Sequence, residues 1–421
     1  ESMAQRLEFY FDLSCPDSFM ISTLINELCS KYNVTATWRP FLTQVTSSKP
    51  YTSAANKLKY NQRLRLFYAQ RILPNNRECW HRLQDQQAPQ TLDEMIFLSS
   101  IADASNATMI HTAKQLFRST WIRRDTRFTQ IVQQFKESAN YMQSYRKLQR
   151  NTKAAYEQHN IFAAPMVLIN EQHAFYGVDR LPNIEALLRK QQFALDLSPI
   201  SRVTFGLVAG GHSNELEFYF DFSSPWAYLG YCRLHELRGF AEKITFKPIL
   251  LGALFRDIGT PNAPALAMDA KRREYGSVEI ERWREIAGVP LQWNKHFPIR
   301  TVLPLRVFII NQKTIDCMYR GAWQWNVNIG DASELCKLLQ KFGFDGEALI
   351  EQAKNDKNVK QILKNNTEFA RNTGMFGVPS YVVNGDYDRF VWGQDKLDLV
   401  KDLCCGWKPL SKCDKSICSK L

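Results

Sequence analysis

Polar and apolar positions alternate in short bursts along this chain, and the clearest burst occurs twice. FYFDLSCPDSF stands at 9–19 and FYFDFSSPWAY at 218–228; in each, an aromatic run meets a polar step closed by proline. That pattern predicts a buried strand feeding a helix, because aromatic residues favour strands and proline favours the first helical position. In the second half ITFKPILL predicts another strand, and PSYVVNG with RFVWG predicts a β-hairpin around Asn384 and Gly385. Between them, from about 265 to 374, runs such as SELCKLLQKFGF and NNTEFARNTGMFG carry helical periodicity. The order is strand, helix, strand, helical middle, strand, hairpin strand, closing helix. A βαβ start and a ββα finish around a helical block outline an α/β layered domain.

Further pairs recur in the same order. PQTL at 89–92 answers PIRTVL at 298–303, and FRSTW at 117–121 answers YRGAW at 319–323. FAAPMVLINEQHAFYGVDRL at 162–181 answers FGVPSYVVNGDYDRFVWGQDKL at 376–397. The offset grows from 209 (Cys15 to Ser224) to 216 (Asp179 to Asp395), as small insertions require. This predicts duplication of a whole domain; a solenoid would repeat every 20–50 residues or so. The expected domains are 3–196 and 216–421, joined by a linker at 197–215 that holds a Gly-Gly and lacks a period.

Composition changes the picture little. The 421 residues are 45% hydrophobic and 23% charged, ordinary for globular domains. A net charge of +12 is scattered among acids without a basic block, which argues against nucleic acid and fits a small anionic ligand or simply a solvated surface. No apolar run is long enough for a membrane span. Ten cysteines without dense spacing do not read as a disulfide scaffold, so reduced thiols are expected. Cys404, Cys405, Cys413 and Cys418 include no C-x-x-C pair and no interleaved histidine, so no metal site is expected. Trp121 and Trp323 recur at matching places and read as core anchors.

The candidate chemistry gathers at Ser224-Pro225, a helix start, and at GVPSYVV, where a cis proline would expose the backbone of the residue before it. With FYFDFSSPWAYLG, FKPILLGALF, HFPIRTVLPLR, GMFGVPSYVV and WGQDKL, the second half resembles the kappa-class glutathione transferases and 2-hydroxychromene-2-carboxylate isomerases. These are members of the DsbA-like branch of the thioredoxin fold. The first half resembles the same domain with eroded motifs, in FYFDLSCPDSF, ATWRPFL, APQTL, FAAPMVL and YGVDRL. The resemblance implies an α/β fold of two tandem thioredoxin-like domains, each with an inserted helical subdomain. It implies glutathione as co-substrate, a small electrophile or enone as its partner, and a hydroxyl at Ser224 that hydrogen-bonds the glutathione sulfur. Val378 before Pro379 would pair with the cysteinyl unit, and Gln394 and Asp395 would hold the γ-glutamyl end. Two positions depart from the family pattern: Thr260 stands where an asparagine is usual, with Asn262 two places on, and Lys396 replaces an arginine, keeping charge but losing the bidentate fork.

In the first half Cys15 takes the place of Ser224, and CPDS reads as a C-x-x-S motif at a helix start, where a thiol of low pKa can sit. Pro165, Asp179 and Arg180 remain beside it as a possible second cleft. Three functions therefore stand at this point: a glutathione-dependent transferase or isomerase working from Ser224, a non-catalytic binding or scaffold protein, and a monothiol oxidoreductase using Cys15. Kappa-class proteins are typically dimers, and a tandem chain is expected to supply that dimer internally.

The last three residues, Ser419-Lys420-Leu421, match the peroxisomal address read by an import receptor at a free C-terminus. A fluorescent fusion at the N-terminus is expected to enter peroxisomes and to turn diffuse when Leu421 is deleted; diffuse signal with Leu421 intact contradicts the address.

Overall fold

The computed structural model describes residues 6–43, 55–84, 89–123, 125–189 and 214–410. Most of the expected linker, together with Cys413, Cys418 and the terminal tripeptide, lies outside the described residues. The chain divides into two compact units, each an α/β domain on one four-stranded sheet.

In the first unit β1 (Arg6–Phe11), β2 (Thr35–Pro40), β3 (Met166–Ile169) and β4 (His173–Tyr176) lie in the order β2-β1-β3-β4. β1 runs parallel to β2 and antiparallel to β3, with Leu7 opposite both Ala36 and Ile169. The second unit repeats this with β5 (Glu215–Phe220), β6 (Lys243–Pro248), β7 (Ser380–Val383) and β8 (Val391–Trp392), in the order β6-β5-β7-β8. Leu216 faces both Ile244 and Val383, so the central strands share one register pattern. A parallel pair needs a crossover, which helix α1 (Pro16–Lys31) supplies in the first unit and α2 (Pro225–Cys232) in the second.

Helical blocks enter between β2 and β3 and again between β6 and β7, as the periodicity predicts. In the second unit the sheet and the block meet through aromatic rings. Phe220 is completely buried and lies edge-on to Phe308 (5.1 Å between ring centres) and Phe246 (6.2 Å), with Tyr319 6.1 Å away. Burying each such side chain contributes about 1.5–3 kcal/mol, which makes this cluster the seam of the unit.

The hairpin in the second unit differs from its expected form. Asn384 and Gly385 do take positive φ (51° and 70°), but a further turn at Tyr387–Arg389 delays the return strand until Val391. The extra residues of GDYDRF, read as part of a hairpin from their flanking strands, form that turn.

A buried carboxylate ties the closing helix of the first unit (Leu181–Leu188) to the end of α1. Glu185 Oε1 accepts from the Tyr32 hydroxyl (2.6 Å) and from Lys31 Nζ (2.9 Å), and Arg189 Nη2 stands 3.1 Å away. Burial alone would raise its pKa, but the hydrogen bonds from Tyr32, Lys31 and Arg189 win and hold it below the ordinary 4.5. The stabilisation it gives is therefore present above the unfolded pKa and fades as pH falls through the folded one. Glu185→Gln is expected to cost about 1–3 kcal/mol at neutral pH. Denaturant melts of the variant and the parent chain should converge as the buffer is taken below pH 4.5; a gap that stays constant with pH contradicts this.

Candidate functional site

The site is built where β5 ends. Asp221, fully buried, closes that strand, and its two oxygens serve different elements. Oδ1 accepts from Ser223 N (2.9 Å), while Oδ2 accepts from Leu251 N (2.7 Å), the first residue of helix α3 (Leu251–Asp257). Burial raises its pKa, and hydrogen bonds from Ser223, Thr301 and Leu251 pull the other way without overcoming it. The backbone carbonyl of Asp221 accepts from Ser224 N (3.2 Å), and the buried Trp323 indole donates to Phe222 O (2.8 Å). Trp323 is thus a core anchor, as its recurrence implies, and also a pin for the loop before Ser224.

Ser224 caps α2 with extended backbone (φ −99°, ψ 117°), its Oγ accepting from Ala227 N at 3.1 Å. Because the cap uses the oxygen as acceptor, the hydroxyl proton remains available to donate. The residue is 5% exposed.

The Val378–Pro379 bond is cis, the condition under which the backbone of Val378 would be exposed. Pro379 O accepts from Gly393 N (3.0 Å), and a side chain at Gly230 on α2 would meet Pro379 Cγ at 3.1 Å. Helix, proline loop and the turn at Gln394–Lys396 are therefore packed together. Gly393 takes φ +106°, and any Cβ there would run into the carboxylate of Asp395, so glycine is required on both counts. Asp395 Oδ2 pairs with the buried Lys396 ammonium at 2.8 Å. Gln394 is turned inward: it is 1% exposed, and its Oε1 accepts from Arg233 Nη1 (2.7 Å). Thr260 closes the turn after α3, donating its N–H to Phe255 O (2.8 Å). Asn262, not Thr260, is the side chain that approaches the start of α3, where a Cβ at Gly252 would meet its amide oxygen at 3.1 Å.

The first unit gathers matching residues with different chemistry. Cys15 occupies the cap of α1 in nearly the same backbone conformation (φ −93°, ψ 119°), with no side-chain cap bond. Its Sγ instead donates to Ala164 O (3.4 Å), on the residue before cis Pro165. Its surroundings favour the neutral thiol over the low-pKa thiol that is one reading of CPDS. Burial pushes it up to about 12, the Asp17 carboxylate adds to this, and the Ser18 N–H opposes it too weakly. Asp17 stands where the second unit has Trp226, and Arg65 Nε lies 3.6 Å from it. Pro165 O accepts from Gly177 N (3.2 Å), and Asp179 pairs with Arg180 at 3.1 Å, so the acidic turn persists.

Two residues that organise the site were not read from the sequence. Asp221 had a signal, since it ends the FYFD run in both halves and a charge closing a buried strand needs partners. Arg233 had none, because it reads as one more surface charge yet is 1% exposed.

Among the described residues no helix is long and apolar enough to cross a membrane, and no group of three His, Cys, Asp or Glu side chains is placed to hold a metal ion.

The DSBA-like thioredoxin domain family matches residues 215–404. A 2-hydroxychromene-2-carboxylate isomerase of Sphingobium xenophagum is 26% identical over 194 residues, covering 45% of this chain and 97% of the relative. The glutathione S-transferase kappa 1 of Caenorhabditis elegans is 25% identical over 216 residues, covering 47% and 93%. The solved structure of a 2-hydroxychromene-2-carboxylate isomerase is 23% identical, covers 45% of this chain and 93% of its own, and has a TM-score of 0.39. Residues 215–404 are therefore a DsbA-like thioredoxin domain with kappa-class glutathione transferases and 2-hydroxychromene-2-carboxylate isomerases as homologues.

Proposed function

We propose that the second unit binds glutathione and activates its thiol at Ser224, as a transferase or isomerase of the kappa type. The observation that carries this reading is the state of Ser224: its oxygen is committed to the helix cap, which leaves its proton to donate. A sulfur anion held there would gain one charge-assisted hydrogen bond and the field of the α2 N-terminus, both of which favour thiolate over thiol. In the transferase reaction the thiolate forms a C–S bond to the electrophile, and the leaving group departs with the electron pair. In the isomerase reaction the thiolate adds to an enone carbon, the bond rotates in the enolate, and elimination restores both thiolate and double bond. Neither route requires a redox partner.

The paired Asp395 and Lys396 supply opposite charges to the two ends of an α-amino acid group, such as the free end of a γ-glutamyl unit. The backbone of Val378 stands beside the cis proline, where an extended peptide can pair with it. We further propose that the first unit is a diverged copy without turnover. The raised Cys15 pKa and its use of Ala164 O, the carbonyl corresponding to that of Val378, support this.

Ser224→Ala is expected to raise the pKa of bound glutathione by about 1–2 units, read from the ultraviolet absorbance of the thiolate, because a charge-assisted bond is lost. Its kcat/KM toward a panel of electrophiles should fall about 10–100-fold, while glutathione affinity changes little. Asp395→Asn should weaken glutathione binding by about 2–3 kcal/mol in calorimetry. A parent chain that neither binds glutathione nor consumes any electrophile would make the domain a scaffold instead. Thiol exchange lost in Cys15→Ser would move the chemistry to the first unit.

A further inference from the structure

Arg233 is a buried guanidinium whose partners lead to the acidic turn. Nη1 donates to both the backbone carbonyl (2.8 Å) and the side-chain Oε1 (2.7 Å) of Gln394. Nε and Nη2 bind Glu236 at 2.6 and 3.2 Å, and the plane lies over the Trp283 ring, 4.7 Å from its centre, on helix α4 (Ala270–Ala287). Burying such a group is costly, and an apolar replacement of similar volume is often neutral or better for stability. The first unit contains that replacement. Nine residues after its cap it has Leu24 where the second has Arg233, and one residue before its acidic Asp179 it has the buried Val178 where the second has Gln394. The layer beneath follows: Gly230 and Tyr381 in the second unit are matched by the buried Ile21 and Val167 in the first. Gly230 is what leaves room for the Tyr381 hydroxyl, which a Cβ there would meet at 2.7 Å. The same sheet order thus occurs with polar residues at these positions in one unit and with apolar ones, a half-buried Leu24 among them, in the other.

Since the fold forms with either layer, the polar one has another use, and the residue it grips marks that use. Arg233 holds both the backbone and the side chain of Gln394, the residue beside Asp395 and Lys396 in the same turn. We infer that Arg233 is a positioning residue which, through Gln394, sets the Asp395–Lys396 pair for recognising the free α-amino acid end of the ligand. The inference rests on the glutathione reading above. It assigns the γ-glutamyl end to Asp395 and Lys396, and gives Gln394 the part of an internal brace.

The test is the exchange of the polar pair for the first unit's own residues, Arg233→Leu with Gln394→Val, in the full chain. Calorimetry with glutathione and with cysteinylglycine, which lacks the γ-glutamyl unit, reads the effect. The parent chain should prefer glutathione by about tenfold or more. The double variant should melt within a few degrees of the parent, bind cysteinylglycine as before, and lose most of that preference. Adding Asp395→Asn to it should then change glutathione affinity far less than the same change does in the parent, since both act through one turn. An unfolded double variant would mean that the pair holds the fold, and a variant that keeps the full preference would mean that the brace is idle; either overturns the inference. A parent chain that binds neither peptide overturns the glutathione reading itself, and this inference with it.

Discussion

A carboxylate at the end of a buried strand is the constraint on which both units depend. In the second, Asp221 satisfies the turn before Ser224 with one oxygen and the first N–H of α3 with the other. In the first, Asp12 repeats the arrangement with Ser14 N (2.9 Å) and Thr43 N (3.3 Å). An N–H at a helix start has no partner within its helix, and an N–H in a tight turn has none in the sheet. One desolvated carboxylate supplies both, and so fixes the direction in which the chain leaves the strand. The cap residue, three positions on, inherits that direction.

The two caps then diverge through their surroundings. Ser224 accepts within its own helix and keeps a proton to give, whereas Cys15 gives its proton to Ala164 O across the fold. A hydroxyl can cap and donate at once; a thiol, a weak acceptor, caps poorly. The one-residue difference visible in the sequence therefore changes which hydrogen bond the cap side chain makes. The acid turns diverge less, because Gly177 and Gly393 both take positive φ with the following aspartate packed where a Cβ would be. Backbone geometry gives that turn the same form in both units, with Gln394 in one and Val178 in the other.

What could be read from the sequence follows the range of the interactions. The order of elements along the chain, the helical inserts and the Ser224 cap depend on local pattern or neighbouring residues, and FYFDFSSP carries the cap openly. The choice between a reactive and a structural Cys15 could not be read from CPDS, because the thiol's pKa depends on burial by the whole unit and on a carboxylate two places along. Gln394 lies 161 residues from Arg233, and no local feature distinguishes an inward glutamine from one that faces a ligand. The hairpin loop was obscured because Asn384 and Gly385 do adopt the backbone of a tight turn, while residues beyond them decide that the strand does not yet return.

The burial that silences Cys15 extends to other sulfurs of the chain. Cys29 and Cys232 are pushed up to about 11, and Cys317 and Cys404 to about 12, each chiefly by desolvation. At neutral pH a thiol with a pKa of about 12 is ionised in roughly one molecule in 100,000, and the anion is the form that peroxides and alkylating agents attack. Among the described residues, desolvation thus keeps these five sulfurs in the less reactive thiol form.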